Sequence, residues 1–264
     1  MNLRIKKIFA NKEKKLATFV TGGDPNIKTS QNVIETIAKC GADIIEIGMP
    51  FSDPMADGPT IQESSLRSIN SGTNLNHIFS ICKNFRTKNN TTPLILMGYY
   101  NVIFNYGIKK FVKQCKMNGI DGLIIVDLQP EEDSELLKEI KLTDINLIRL
   151  ITPTTDKKRL STILKNASGF LYYVTITGIT GQHSANIKEL KKSIHNIRKM
   201  TDLPILAGFG IKNEKDVKEI CKICDGAVVG SSIVKIIEKN KKNKNKILKS
   251  IENFVRKLKK GTLS

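Results

Sequence analysis

The alternation of short apolar runs with longer amphipathic stretches predicts an α/β fold, a single (β/α)8 TIM barrel with extra N-terminal and loop helices, read as one domain over residues 1–264. Three observations predict it. A chain of 264 residues is the right length for one barrel. Eight short runs rich in β-branched residues recur with helical segments between them. Runs such as Gly122-Leu123-Ile124-Ile125-Val126 are hydrophobic almost without a break, which suits parallel strands covered on both faces.

In chain order the strands are expected near Leu16–Val20, Asp43–Ile47, Leu94–Gly98, Gly122–Val126, Asn146–Ile151, Phe170–Thr175, Ile205–Ala207 and Ala227–Gly230. Helical segments include Ser30–Lys39, Ile108–Met117, Glu131–Lys141, Lys157–Leu164, Ile187–Lys199 and Glu214–Ile223. Gly41 and Gly119 are placed like helix C-caps. Pro93 and Pro204 precede the third and seventh strands, where a missing N–H does least harm. The stretch Lys246–Lys259 repeats Ile247, Leu248, Ile251, Phe254, Val255 and Leu258 at helical spacing and should pack on the barrel exterior. The competing architecture is an open, doubly wound sheet. No marked linker divides the chain.

A formal charge of +18 would ordinarily suggest nucleic acid. Its distribution argues otherwise. Residues 235–264 hold eleven Lys and Arg against two Glu, half of the excess. At Lys241-Lys242-Asn243-Lys244-Asn245-Lys246 the lysines alternate with asparagine, with no aromatic residues between them to stack on bases. No apolar run is long enough to span a bilayer, and the basic start runs into Asn11-Lys12-Glu13-Lys14-Lys15 instead of an apolar signal region. A cytoplasmic protein is expected. The five cysteines are odd in number and scattered, as in a reducing compartment. Cys221-Lys222-Ile223-Cys224 falls at a helix end, not at the N-terminus that would activate a thiol, and is expected to face the core.

Barrel enzymes keep their chemistry at the C-terminal ends of the strands. Glu46 stands there inside Ile44-Ile45-Glu46-Ile47, where a carboxylate is costly unless paired, solvated or used. The plain alternative is a structural glutamate with a partner. Asp57, in a loop crowded with Gly and Pro, is by itself turn chemistry, but with Glu46 it forms one half of a possible acid–base pair. Asp53 is a third acidic candidate.

Glycine turns follow the late strands at Gly178–Gly181, Gly208–Gly210 and Gly230–Ser232, and the last two sit where barrels often bind phosphate. A Schiff-base mechanism needs a lysine on a strand, and none of the eight expected runs contains one. A metal site needs clustered histidines. His77 and His195 fall in helical stretches, and His183 is expected in the loop after the sixth strand. The residues thus point to carboxylate acid–base chemistry on a small phosphorylated ligand.

The run Ile45-Glu46-Ile47-Gly48-Met49-Pro50-Phe51-Ser52-Asp53-Pro54-Met55-Ala56-Asp57-Gly58-Pro59-Thr60-Ile61-Gln62 closely resembles the tryptophan synthase alpha chain family. Further matches occur in the family's order at residues 19–25, 97–101, 178–181 and 208–210. The resemblance implies a retro-aldol cleavage of indole-3-glycerol phosphate to indole and D-glyceraldehyde 3-phosphate. Glu46 resembles the acid that protonates the indole C3, and Asp57 the carboxylate that takes up the indole N–H as the C–C bond breaks. A neutral Glu46 is needed for that step, so its apolar surroundings should raise its pKa.

By the same resemblance Phe19, Met97, Tyr172 and Phe209 line the indole pocket, with Tyr99 also counted as substrate-binding. Gly181, Gly210, Gly230 and Ser231 match the phosphate cradle, and Thr180 helps to position Asp57 when the site closes. The family implies a beta-chain partner in an α2β2 tetramer, met at Pro50, Phe51, Asp53 and Asn101. Pyridoxal phosphate is expected only in that partner, and this chain should need no cofactor or metal. Three places depart from the common pattern: Gly22, Gln129, and the loop Gln182–Asn186 without its usual arginine. Two other readings compete. An isomerase on a related phosphosugar would want a carboxylate pair that Phe19-Val20 and Ile151-Thr152 do not supply. A chain kept mainly to bind a beta partner would not need both carboxylates.

Overall fold

The computed structural model describes residues 2–174, 183–208 and 210–263. Its centre is one parallel sheet in the order β5-β4-β3-β2-β1-β9-β8-β7-β6. The strands are β1 (Lys15–Thr21), β2 (Ile44–Gly48), β3 (Leu94–Gly98), β4 (Gly122–Ile125), β5 (Asn146–Leu147), β6 (Arg149–Ile151), β7 (Leu171–Val174), β8 (Ile205–Gly208) and β9 (Gly226–Val229). The two ends of that order, β5 and β6, are consecutive pieces of chain separated by Ile148 alone. The sheet therefore closes on itself, and the doubly wound alternative is excluded.

The expected fifth strand, 146–151, is where the sequence reading needs correction. It runs as two pieces. β5 pairs with β4 only at Gly122↔Asn146 and Leu123↔Leu147, and β6 pairs only with β7. The Ile148 N–H still donates to the Leu123 carbonyl at 2.9 Å, which is the last rung on that side. Beyond it the seam parts, and a cavity of about 360 Å³ lies between the ends of β4 and β6.

Strand alternation divides the apolar residues into two cores. The inner one takes Ala17, Ile44, Ile95, Ile124, Ile148, Phe170, Leu206 and Val228, one from each strand position around the ring. The outer one packs the strands' other faces against the helices. Helix α1 (Leu3–Ile8), the extra N-terminal helix expected without bounds, plugs the N-terminal end of the ring with Ile5, while Phe9 just after it packs on Phe170 at 6.0 Å. Arg4 of α1 and Arg86 both pair with the fully buried Asp121, which also accepts from the Leu94 N–H.

The remaining helices follow their strands. After β1 comes α2 (Ile27–Lys39), and after β2 come α3 (Pro59–Asn70) and α4 (Leu75–Arg86). After β3 come α5 (Tyr100–Tyr106) and α6 (Ile108–Met117), then α7 (Ser134–Ile140) after β4 and α8 (Lys157–Leu164) after β6. α9 (His183–Arg198), α10 (Glu214–Cys221), α11 (Ser231–Lys239) and α12 (Lys244–Lys260) complete the outer ring. α7 starts three residues later than expected because residues 129–132 form a turn, with the Glu132 N–H bonded to the Gln129 carbonyl. α12 buries Ile247, Ile251, Val255 and Leu258 on the barrel exterior, as its spacing predicted. No described helix is long and apolar enough to cross a membrane.

Candidate active site

Glu46 sits on β2 two residues after Ile44, so the strand's period of two points both into the barrel. Register places it between Phe19 of β1 and Ile95 of β3. It is fully buried, and neither carboxyl oxygen has a hydrogen-bond partner among the described residues. Burial without a counter-charge lifts its pKa to about 8. At neutral pH it is therefore a protonated acid, the form a proton donor requires.

That shift carries a stability signature. The ordinary value is 4.5 and the folded value about 8, so between these the folded chain holds a proton that the unfolded chain has lost. Its stabilising effect is fully present below the lower value and declines until pH passes the upper one. The difference is on the order of a few kcal/mol. Urea unfolding of the chain and of Glu46→Gln from about pH 5 to about pH 8 should show a steeper decline in the first than in the second. Parallel slopes would reject the neutral acid.

Asp57 lies in the loop between β2 and α3, half-buried. Its Oδ2 accepts from the Tyr99 hydroxyl at 3.0 Å, and the same hydroxyl accepts the Ala56 N–H at 2.9 Å. Burial raises the Asp57 pKa above its ordinary value, and the Tyr99 bond opposes that rise. The two carboxyls share one end of the barrel. Tyr172, on β7, feels both, since its hydroxyl is pushed well up by burial and by the charges of Glu46 and Asp57.

A cleft lined by Phe19, Asp57, Met97 and Tyr99, with Gly48 and Val126, gathers four of the expected residues. Gly48 is required there, because a Cβ would lie 2.7 Å from Cζ of Phe19. Tyr99, expected to bind substrate, is largely buried in the wall of this cleft, and its hydroxyl holds the acidic loop through Asp57 and Ala56.

At the ends of β8 and β9 the glycine turns meet. Gly210 is left-handed with φ of 58°, and Gly230 precedes Ser231, the first residue of α11. Among the described residues no side chain caps that helix start. Ser232 donates to the Ile211 carbonyl at 2.7 Å and joins the two turns. Thr180, Gly181 and Phe209 lie outside the described residues.

The residues expected to meet a partner gather around the same end. Pro50 and Phe51 are half-buried, while Asp53 and Asn101 are exposed. Phe51 packs on Tyr99 with ring centres 5.2 Å apart. Met55 and Phe104, large apolar side chains on the loop after β2 and on α5, are 84% and 61% exposed. Their signal is exposure, which no sequence pattern displays.

β1 starts one residue early, at Lys15, so one strand does contain a lysine. It stands at the N-terminal end, away from Glu46, and its amine bonds Asn11 with Glu13 at 3.9 Å. His183 begins α9 and is not in a loop. All five cysteines are buried and free, and burial pushes Cys221 and Cys224 up to about 11 and about 12, as core residues and not reactive thiols. At Gly22 a Cβ would lie 2.5 Å from Cδ1 of Ile78, which occupies the space a larger residue would take. Gln129 is exposed and accepts from Arg159 at 3.3 Å.

A neutral carboxylic acid held inside the catalytic end of a closed parallel barrel defines the class: a (β/α)8-barrel enzyme. The profile of the tryptophan synthase alpha chain family matches residues 5–263. The chain belongs to that family, and its place is in tryptophan biosynthesis. Tryptophan synthase subunit alpha from Legionella pneumophila str. Paris superposes with a TM-score of 0.91 at 32% identity, over 99% of this chain and 98% of that one. A protein from Aquifex aeolicus VF5 superposes at 0.88 and 33% identity, over 98% and 97%. Tryptophan synthase from M. tuberculosis, at 23% identity and a TM-score of 0.86 over 98% and 96%, shares the fold.

Proposed function

We propose that the chain is a carbon–carbon lyase that splits indole-3-glycerol phosphate into indole and D-glyceraldehyde 3-phosphate. The buried, unpaired, neutral Glu46 is the observation that carries this reading. The Glu46 carboxyl gives its proton to the indole C3 while Asp57 takes the proton from the ring nitrogen, leaving an indolenine. The Glu46 carboxylate then takes the proton of the side-chain hydroxyl next to C3. The carbonyl of the aldehyde forms, the C–C bond breaks, and its electrons move through the ring to nitrogen, which recovers its proton from Asp57. Both acids end as they began.

Phe19, Met97 and Tyr172 hold the indole, with Phe209 in the same role. Gly210, Gly230 and Ser231 hold the phosphate, with Gly181, and Thr180 helps to position Asp57 on closure. Tyr99 contacts the substrate beside Phe19 and Met97 and holds the Asp57 loop through its hydroxyl. The family implies a beta-chain partner. Pro50, Phe51, Asp53 and Asn101, with Met55 and Phe104 beside them, are the surface for it in an α2β2 tetramer. The chain acts as one domain in the cytoplasm, with no metal and no cofactor of its own, and pyridoxal phosphate belongs to the partner. A steady-state assay of the purified chain with indole-3-glycerol phosphate, with and without a beta chain, tests it. Indole release is expected in both cases and faster with the partner; no indole in either would leave a chain kept only to bind its partner.

A further inference from the structure

We infer that Arg67 is a positioning residue for the reaction, because it ties the helix that follows Asp57 both to the turn after β1 and to the helix that starts at the phosphate turn. The inference rests on the role proposed for Asp57. α3 begins at Pro59, two residues past Asp57, so a shift of the helix is passed to the acidic loop. The face it buries is Ser64, Ser65 and Ser68. Apolar contact is non-directional and would let such a helix slide. Hydrogen bonds do not.

The bonds run along the turn residue by residue. Thr21 and Ser64 share a hydroxyl bond of 2.5 Å, and Ser68 donates to the Gly22 carbonyl at 2.6 Å. Arg67 then grips Asp24 with both arms, Nε to Oδ1 and Nη2 to Oδ2, each at 2.9 Å. Asp24 is 1% exposed, so the fork is withdrawn from water and held in one geometry. The remaining nitrogen, Nη1, lies 3.6 Å from Oε1 of Glu238 on α11. One planar guanidinium therefore spans α3, the β1 turn and the helix whose first residue is Ser231. A lysine cannot make the paired bonds to Asp24 and reach Glu238 at once.

The test uses the full chain and four forms of it: wild type, Arg67→Met, Arg67→Lys, and Asp24→Asn with Arg67→Met, which leaves no buried charge unpaired. Each is assayed with indole-3-glycerol phosphate, alone and in an Asp57→Asn background, after circular dichroism and a thermal melt confirm folding. The double variant should lose at least about tenfold in kcat, since small misplacements of a reacting group are costly. Its KM should stay within about threefold, because the phosphate turn is intact. Arg67→Lys should recover part of the loss. In the Asp57→Asn background the same change should cost less than about twofold, as for residues that act through one another. A folded double variant with kcat within about twofold of wild type, or equal proportional losses in both backgrounds, would overturn the inference. Amide exchange over residues 52–58 needs no substrate: faster exchange in the double variant is expected, and unchanged exchange also overturns it. An inactive wild-type chain with faster exchange in the variant rejects the lyase reading and leaves the tie standing.

Discussion

Glu46→Gln should retain the fold and lose cleavage activity by about 10²- to 10⁴-fold in kcat, the range that a lost general acid accounts for. Gln is nearly the same size, so the Phe19 and Ile95 neighbours in the register need not move. It cannot protonate C3 or take back the hydroxyl proton. Both steps fail together, and kcat and kcat/KM should fall in parallel because the phosphate turn still holds the substrate. The pH profile offers a second check. Activity should decline as pH rises through about 8, where the buried carboxyl of Glu46 ionises. The alkaline limb should be absent from whatever activity the variant keeps. Near-normal indole release by Glu46→Gln would remove the mechanism.

Asp57→Asn should cost about 10²- to 10³-fold, the scale of losing one preorganised electrostatic partner in a water-poor site. Asparagine can still accept from Tyr99 through its carbonyl, so the bond at 3.0 Å can persist and the loop can keep its place. What is lost is the charge that draws the proton from the indole nitrogen. In the proposed mechanism Asp57 acts as a carboxylate, and its pKa is raised by burial, so activity should fall as pH drops through a value above that of an ordinary aspartate. The variant should lack this acid limb while keeping the alkaline limb of Glu46. An unchanged acid limb in Asp57→Asn would assign the ionisation to another group.

Much of the scaffold could be read because it is locally encoded. The strand at Leu94–Gly98 and the helices at Ile108–Met117 and Lys157–Leu164 fall on the predicted residues, since apolar period and Gly or Pro punctuation agree there. α3 was not among the helices named, for a physical reason: its inward face is serine, so it carries no apolar stripe to detect. α1 was expected as an extra N-terminal helix, but its bounds were not legible, because six residues beside a basic start look like a tail until the barrel offers them a floor. The split of the fifth strand depends on where β4 stops pairing, which is not a property of residues 146–151 themselves.

The site divides in the same way. Glu46 is legible as a carboxyl in an apolar strand on the same face as Ile44. Asp57 is legible only through the motif that surrounds it. The bond from Tyr99 spans 42 positions in sequence, and the fork of Arg67 on Asp24 spans 43. No periodicity encodes either.

By itself the sequence determined the alternation of strands and helices, the face on which Glu46 lies and the family motifs, because each depends on residues near one another in the chain. Tertiary structure alone decided that Glu46 has no partner among the described residues and stays neutral, that Tyr99 serves Asp57, and that Arg67 binds three elements together. Burial and long-range hydrogen bonds are properties of what surrounds a side chain, and those surroundings exist only once the ring has closed.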